Sequence, residues 1–102
     1  MNSYQIVYSD TAKKDLDDLF QAIVWDYKAP LTAYRYVQGI IDTIKILSRN
    51  PESYLVQTQR YYSRHAAIVR RINYKKMAII YSVHSKVVYI HRIVAASTIK
   101  DL

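Results

Sequence analysis

All three histidines of this chain, His65, His84 and His91, fall in a stretch that contains no carboxylate. Between Ser53 and Lys100 there is no Asp or Glu, yet nine of the fifteen Lys and Arg lie there. Residues 1–52 carry six basic and seven acidic residues, net −1; residues 53–102 carry nine basic and one acidic, Asp101, net +8. Clustered cations suit a polyanion, because Lys and Arg release condensed counterions as they neutralise phosphates. The candidates for such contacts are Arg64 beside His65, the adjacent Arg70 and Arg71, and Lys75-Lys76. Each also has a plainer reading, as a solvated turn or a strand edge kept from aggregating by charge. The composition restricts chemistry as well. A site here has no local carboxylate as base or metal ligand, so proton transfer falls to His, Tyr, Lys or Arg. Imidazole exchanges protons near neutral pH and is the first candidate. The histidines lack metal-ligand spacing and acidic help, so no metal site and no cofactor are expected.

The chain has 102 residues, enough for one hydrophobic core, and residues 1–102 are read as a single domain. Half of the residues are apolar by count, but eleven of these are Tyr, which line wet surfaces as readily as cores. Cysteine is absent, which excludes disulfides and fits a reducing cytoplasm. The opening MNSYQIVYSD has no basic segment followed by an apolar one, so no signal peptide is expected. No apolar run reaches the roughly 18–20 residues of a membrane span, so no membrane partner is expected.

The elements that must position these residues follow from periodicity. Tyr4–Ser9 reads as a strand with Tyr4, Ile6 and Tyr8 on one face. Ser9 or Asp10 can cap a helix whose apolar stripe is Ala12, Leu16, Leu19, Phe20, Ile23 and Tyr27. Trp25 lies off that stripe and is available to a partner. Ala29-Pro30 opens a second helix carrying Ala33, Val37, Ile40, Ile41, Ile44 and Leu47, which stops before Asn50-Pro51. Gly39 inside it is unfavourable unless something approaches closely there. Residues 51–65 read as a polar and aromatic loop. The period then changes to two, and Ala67–Asn73, Met77–Val83 and Val87–Val94 form strands joined by tight turns, an antiparallel meander. The order β-α-α-β-β-β gives an α+β domain, with a helical hairpin packed on one face of a small antiparallel sheet. The other face is the candidate site.

Order and residues together resemble the RelE/ParE superfamily of toxins from type II toxin–antitoxin modules. The resemblance rests on Tyr4-x-Ile6-Val7-x-Ser9-x-x-Ala12-x-x-Asp15-Leu16, Pro30-x-x-Ala33 and Leu47-x-x-x-Pro51. Ile68-x-Arg70-Arg71-Ile72, Ile79-Ile80-Tyr81-Ser82-Val83 and Val88-x-Ile90-x-Arg92-Ile93 carry it to the last strand. It implies a toxin of a plasmid-stabilisation module and a cognate antitoxin, for which the charge asymmetry suggests an acidic, amphipathic segment. Two targets are implied. ParE-like members poison DNA gyrase and have no known hydrolytic site. RelE-like members cut messenger RNA on the ribosome with basic residues and often a Tyr on the open sheet face. On the RelE pattern, Arg71 meets the basic position of the first meander strand. The next arginine falls on or near Ala78 and the last near Thr98, with no Tyr following. These two departures, and the long helical hairpin, favour the ParE side, while the large positive charge of the sheet half favours the RelE side.

The nuclease alternative asks for a base at the 2′-hydroxyl, an acid for the leaving oxygen and cations for the phosphorane. Arg71, Tyr81 (or Tyr89), His91 and Arg92 supply those types. His91 in an apolar strand also reads as a satisfied core group. Arg92 also reads as the partner of a helix carboxylate, Asp15 or Asp18, or of a backbone carbonyl. A basic RNA-binding or inactive descendant of the family is the third reading.

Overall fold

The computed structural model describes residues 3–99. Strand β1 (Gln5–Tyr8) leads into helix α1 (Asp10–Tyr27), and helix α2 (Pro30–Ile46) returns antiparallel to it. A short segment follows with a two-residue strand β2 (Val56–Gln57) and a one-turn helix α3 (Arg60–Ser63). Strands β3 (Val69–Tyr74), β4 (Met77–His84) and β5 (Val87–Ala95) complete the sheet, in the order β1-β5-β4-β3-β2.

Ser9 caps α1 as expected, its hydroxyl accepting the Ala12 amide. Pro30 is the first residue of α2, where its missing N–H goes unused. Two expectations need correction. The sheet is mixed rather than purely antiparallel, because β1 runs parallel to β5 while β2, β3, β4 and β5 alternate. A two-helix crossover lets an edge strand return parallel, which no local pattern records. The 51–65 loop also contains β2 and α3, each too short to show a period.

The sheet's two faces carry separate cores. Tyr4, Ile6, Tyr8, Ile72, Met77, Ile79, Tyr81, Val88, Ile90 and Ile93 meet the helices through Ala12, Ile40, Ile44 and Leu47. On the opposite face Val69 and Ile80 pack with Tyr62 of α3, flanked by Tyr61, Ala66, Val94 and Ile99. The far face is therefore partly roofed by α3. Between Ile80 and Tyr81 the β4–β5 register shifts, so Tyr81 faces Ile90 while Ile80 faces Arg92. His91 is the extra residue of this bulge, which lets Ile90 and Ile93, three apart, both face the helices.

Candidate functional site

Ser82 is the centre of the roofed face. It shares strand parity with Ile80 and His84 and is almost fully buried. Its hydroxyl lies 2.6 Å from His91 Nε2 and 2.7 Å from His84 Nε2. A hydroxyl has one proton, so Ser82 can donate to one imidazole and must accept from the other. His65, just past α3, stacks on His91 with ring centroids 5.5 Å apart. Tyr61 meets His65 edge-on, and the Arg64 guanidinium lies over the Tyr61 ring, 4.8 Å from its centroid. The three histidines thus form one array, although they are far apart in sequence.

Burial lowers the His91 pKa, and His84 adds to the effect. Burial also lowers that of His65, helped by His91, Arg64 and Arg92. The His65 Nε2 is buried with no hydrogen-bond partner among the described residues. A histidine whose folded pKa lies below its ordinary 6.5 binds protons more readily when unfolded. Stability is then full above about pH 6.5 and falls as pH drops through the window beneath it. Denaturant unfolding at pH 7.5 and 5.5 checks this. The protein loses stability at the lower pH, and His65→Gln/His91→Gln reduces that loss. An unchanged pH dependence in the double variant refutes the assignment.

The four residues considered for phosphodiester chemistry do not meet. Arg71 lies on the roofed face, donating from Nε to Asn73 Oδ1 at 2.8 Å and from Nη1 to the Tyr62 hydroxyl at 3.0 Å. It borders a cavity of about 340 Å3 shared with Tyr54, Leu55, Gln57 and Asn73. His91 is in the Ser82 array. Tyr81 points the other way, into the helical core, where it is wholly buried and its hydroxyl donates to the Pro51 carbonyl. Burial pushes its pKa up, so it holds its proton. Arg92 turns round the sheet edge to α1, where Nε and Nη2 reach the two Asp15 oxygens at 2.9 and 3.0 Å. That hydrogen bond raises its pKa further.

The structural reading of Arg92, pairing with Asp15, is the one realised. The nucleic-acid candidates also divide. Arg64 and His65 flank the array. Arg70 reaches the opposite way, donating to the carbonyls of Glu52 and Tyr54 at 3.1 and 2.6 Å. Lys75 and Lys76 form the β3–β4 turn, at the end of β4 remote from His84. Ala78, the first departure from the RelE pattern, is buried and pairs with Asn73. Thr98 turns its hydroxyl to the Ala95 carbonyl.

Sequence reasoning missed Ser82 and placed His84 in the turn, whereas it ends β4. The alternation Ile80-x-Ser82-x-His84 carried the first signal. The roof had none, because it forms from a segment without periodicity. Among the described residues, no group of three His, Cys, Asp or Glu side chains could hold a metal ion. No helix there is long and apolar enough to cross a membrane.

A helical hairpin on one face of a five-stranded sheet, with cationic and aromatic side chains on the other, is the arrangement that the resemblance to the RelE/ParE superfamily of toxins implied. Within it the chain belongs to the ParE toxin family, since the family model for "ParE toxin of type II toxin-antitoxin system, parDE" matches residues 6–99. It is the toxin component of a type II module, and an antitoxin is its partner. A chain of the solved chromosomal ParDE TA system from P. aeruginosa shares the fold, with a TM-score of 0.73 and 21% identity. The match covers 93% of this chain and 98% of that one. No curated protein matches the chain.

Proposed function

We propose that the toxin is a protein-binding inhibitor of DNA gyrase that acts through the exposed end of its helical hairpin and catalyses nothing. The observation that carries this reading is the apolar surface at that end. Trp25 and Tyr27 finish α1 with 72% and 76% of their surface exposed, and Leu31 and Tyr34 begin α2 beside them, also exposed. Large aromatics left in water at one end of a rigid hairpin suit a protein interface, where such residues supply most of the affinity. The dispersal of Arg71, Tyr81, His91 and Arg92 supports it further, because a phosphoryl transfer needs its groups at one phosphate. Gyrase as the target rests on the likeness to ParE-like toxins, and an acidic antitoxin fits the basic half of the chain.

The test pairs two assays on the purified toxin. Gyrase supercoiling is inhibited, while primer extension on messages from a translating extract shows no new ends. Trp25→Ala and Tyr34→Ala each weaken inhibition by about tenfold or more, as truncated hot-spot aromatics do. Arg71→Ala leaves toxicity unchanged. Ribosome-dependent cuts abolished by Arg71→Ala would replace this reading with the messenger-RNA endonuclease.

A further inference from the structure

A second cavity, of about 260 Å3, lies between α2 and the β3–β4 turn and is lined by Thr32, Arg35, Tyr36, Tyr74 and Lys75. It begins at Gly39. The Tyr74 ring lies on α2 where Gly39 has no side chain, and a methyl group there would overlap the ring. Tyr36, three residues earlier on the helix, meets that ring edge-on with centroids 5.3 Å apart. The Lys75 ammonium stands 5.6 and 5.5 Å from the Tyr36 and Tyr74 ring centroids. Arg35 supplies a second cation. Among the described residues, neither Arg35 nor Lys75 pairs with a carboxylate, and no acidic residue lines the cavity. Aromatic faces offset a cation only in part, so two such groups around one opening favour an anion.

We infer that this cavity receives a carboxylate side chain from an acidic, amphipathic segment of the antitoxin. The inference rests on the reading of the chain as the toxin of a type II pair. Its surroundings favour a peptide over a phosphate backbone. Leu31 and Tyr34, both well exposed, are sequence neighbours of the lining residues Thr32 and Arg35, and Leu31 lies one helical turn before Arg35, so the apolar strip adjoins the cavity. A nucleic-acid strand would leave that strip in water. A helix with acidic and apolar residues spaced three or four apart covers both. The strip belongs to the hairpin end assigned above to gyrase, so antitoxin and target compete for one surface.

The binding of the antitoxin encoded with the toxin, measured at low and high salt, tests this. Arg35→Gln and Lys75→Gly each weaken it by about tenfold, and the double variant by about a hundredfold, as loss of charge-assisted hydrogen bonds requires. Lys75 holds a positive φ of 51°, which glycine adopts without steric conflict, so Lys75→Gly keeps the fold and its melting temperature. Arg35→Glu is worse than Arg35→Gln and is recovered by one acidic-to-Lys change in the antitoxin. Variants that bind within about twofold of the wild type overturn the cavity assignment alone. A wild-type toxin that does not bind the antitoxin overturns the toxin reading, and this inference with it. Variants that keep the antitoxin but lose affinity for a single-stranded RNA oligonucleotide assign the cavity to phosphate and overturn the inference.

Discussion

Gly39→Ala lowers the stability of the folded toxin, although alanine is the better helix residue. In an ordinary helix interior this change stabilises by about 1 kcal/mol, because glycine surrenders more backbone entropy on folding. Here the added methyl meets the Tyr74 ring, which is held edge-on by Tyr36 and flanked by Lys75. The ring must leave its place or the helix must shift, and overpacking of this kind costs about 1–3 kcal/mol. Overpacking outweighs propensity, and the melting temperature falls by about 5–10 °C. The background decides the cause. In a Tyr74→Ala chain the three atoms that crowd the methyl are gone, so Gly39→Ala there stabilises by about 1 kcal/mol, and the double-mutant cycle shows a change of sign. Stabilisation by Gly39→Ala in both backgrounds would refute the steric account. The same substitution in the wild-type chain disturbs the wall of the proposed carboxylate cavity, so antitoxin affinity falls with stability.

Asp15→Ala has the largest effect on the fold. Strand β1 ends at Tyr8, and beyond it the edge of β5 would carry unpaired backbone groups. Side chains of α1 and its cap take over. The Ser9 amide donates to the Ile90 carbonyl, and its hydroxyl donates to that of His91. Asp15 then accepts from the Ile93 amide at 2.9 Å and from both Arg92 nitrogens. Its side chain is only 12% exposed, against 36% for Arg92, so the pair is screened far less than a surface one. Removing the carboxylate leaves an amide without its acceptor and a half-buried guanidinium without its counter-charge, about 2–4 kcal/mol together. A melting temperature lower by about 10–20 °C is expected. Arg92→Leu costs less, because Asp15 keeps the Ile93 amide and the leucine stem still covers the edge. Equal losses from the two variants would mean that the ion pair, rather than the backbone bond, dominates.

Much of the fold was legible because its signals are local. The capping Ser9, the stripe from Ala12 to Tyr27, Pro30 opening α2 and the switch to alternation after residue 67 each act within a few residues. Gly39 was legible in the same way. A glycine in a helix interior implied a close approach, and Tyr74 provides it. Strand parity carries information of the same local kind. Tyr81 shares parity with Met77 and Ile79 and so must lie on their face, but only the tertiary structure makes that the helical side. Arg71 shares parity with Val69, which packs on the other face.

What the chain determined by itself, then, is the class of fold, the division of charge between its halves, and the residue types available for binding. Each follows from composition or from short-range stereochemistry. Tertiary structure alone decided which of these groups meet. Half of the phosphodiester set was assigned elsewhere. The β5 bulge, one residue long and without a sequence signature, let Arg92 turn to Asp15, 77 positions away. It also directed His91 to Ser82. The roof over that serine formed from a segment without periodicity, held by burial of Tyr62 rather than by propensity. Long-range pairings of this kind depend on where the backbone is brought by everything else, so no window of sequence contains them.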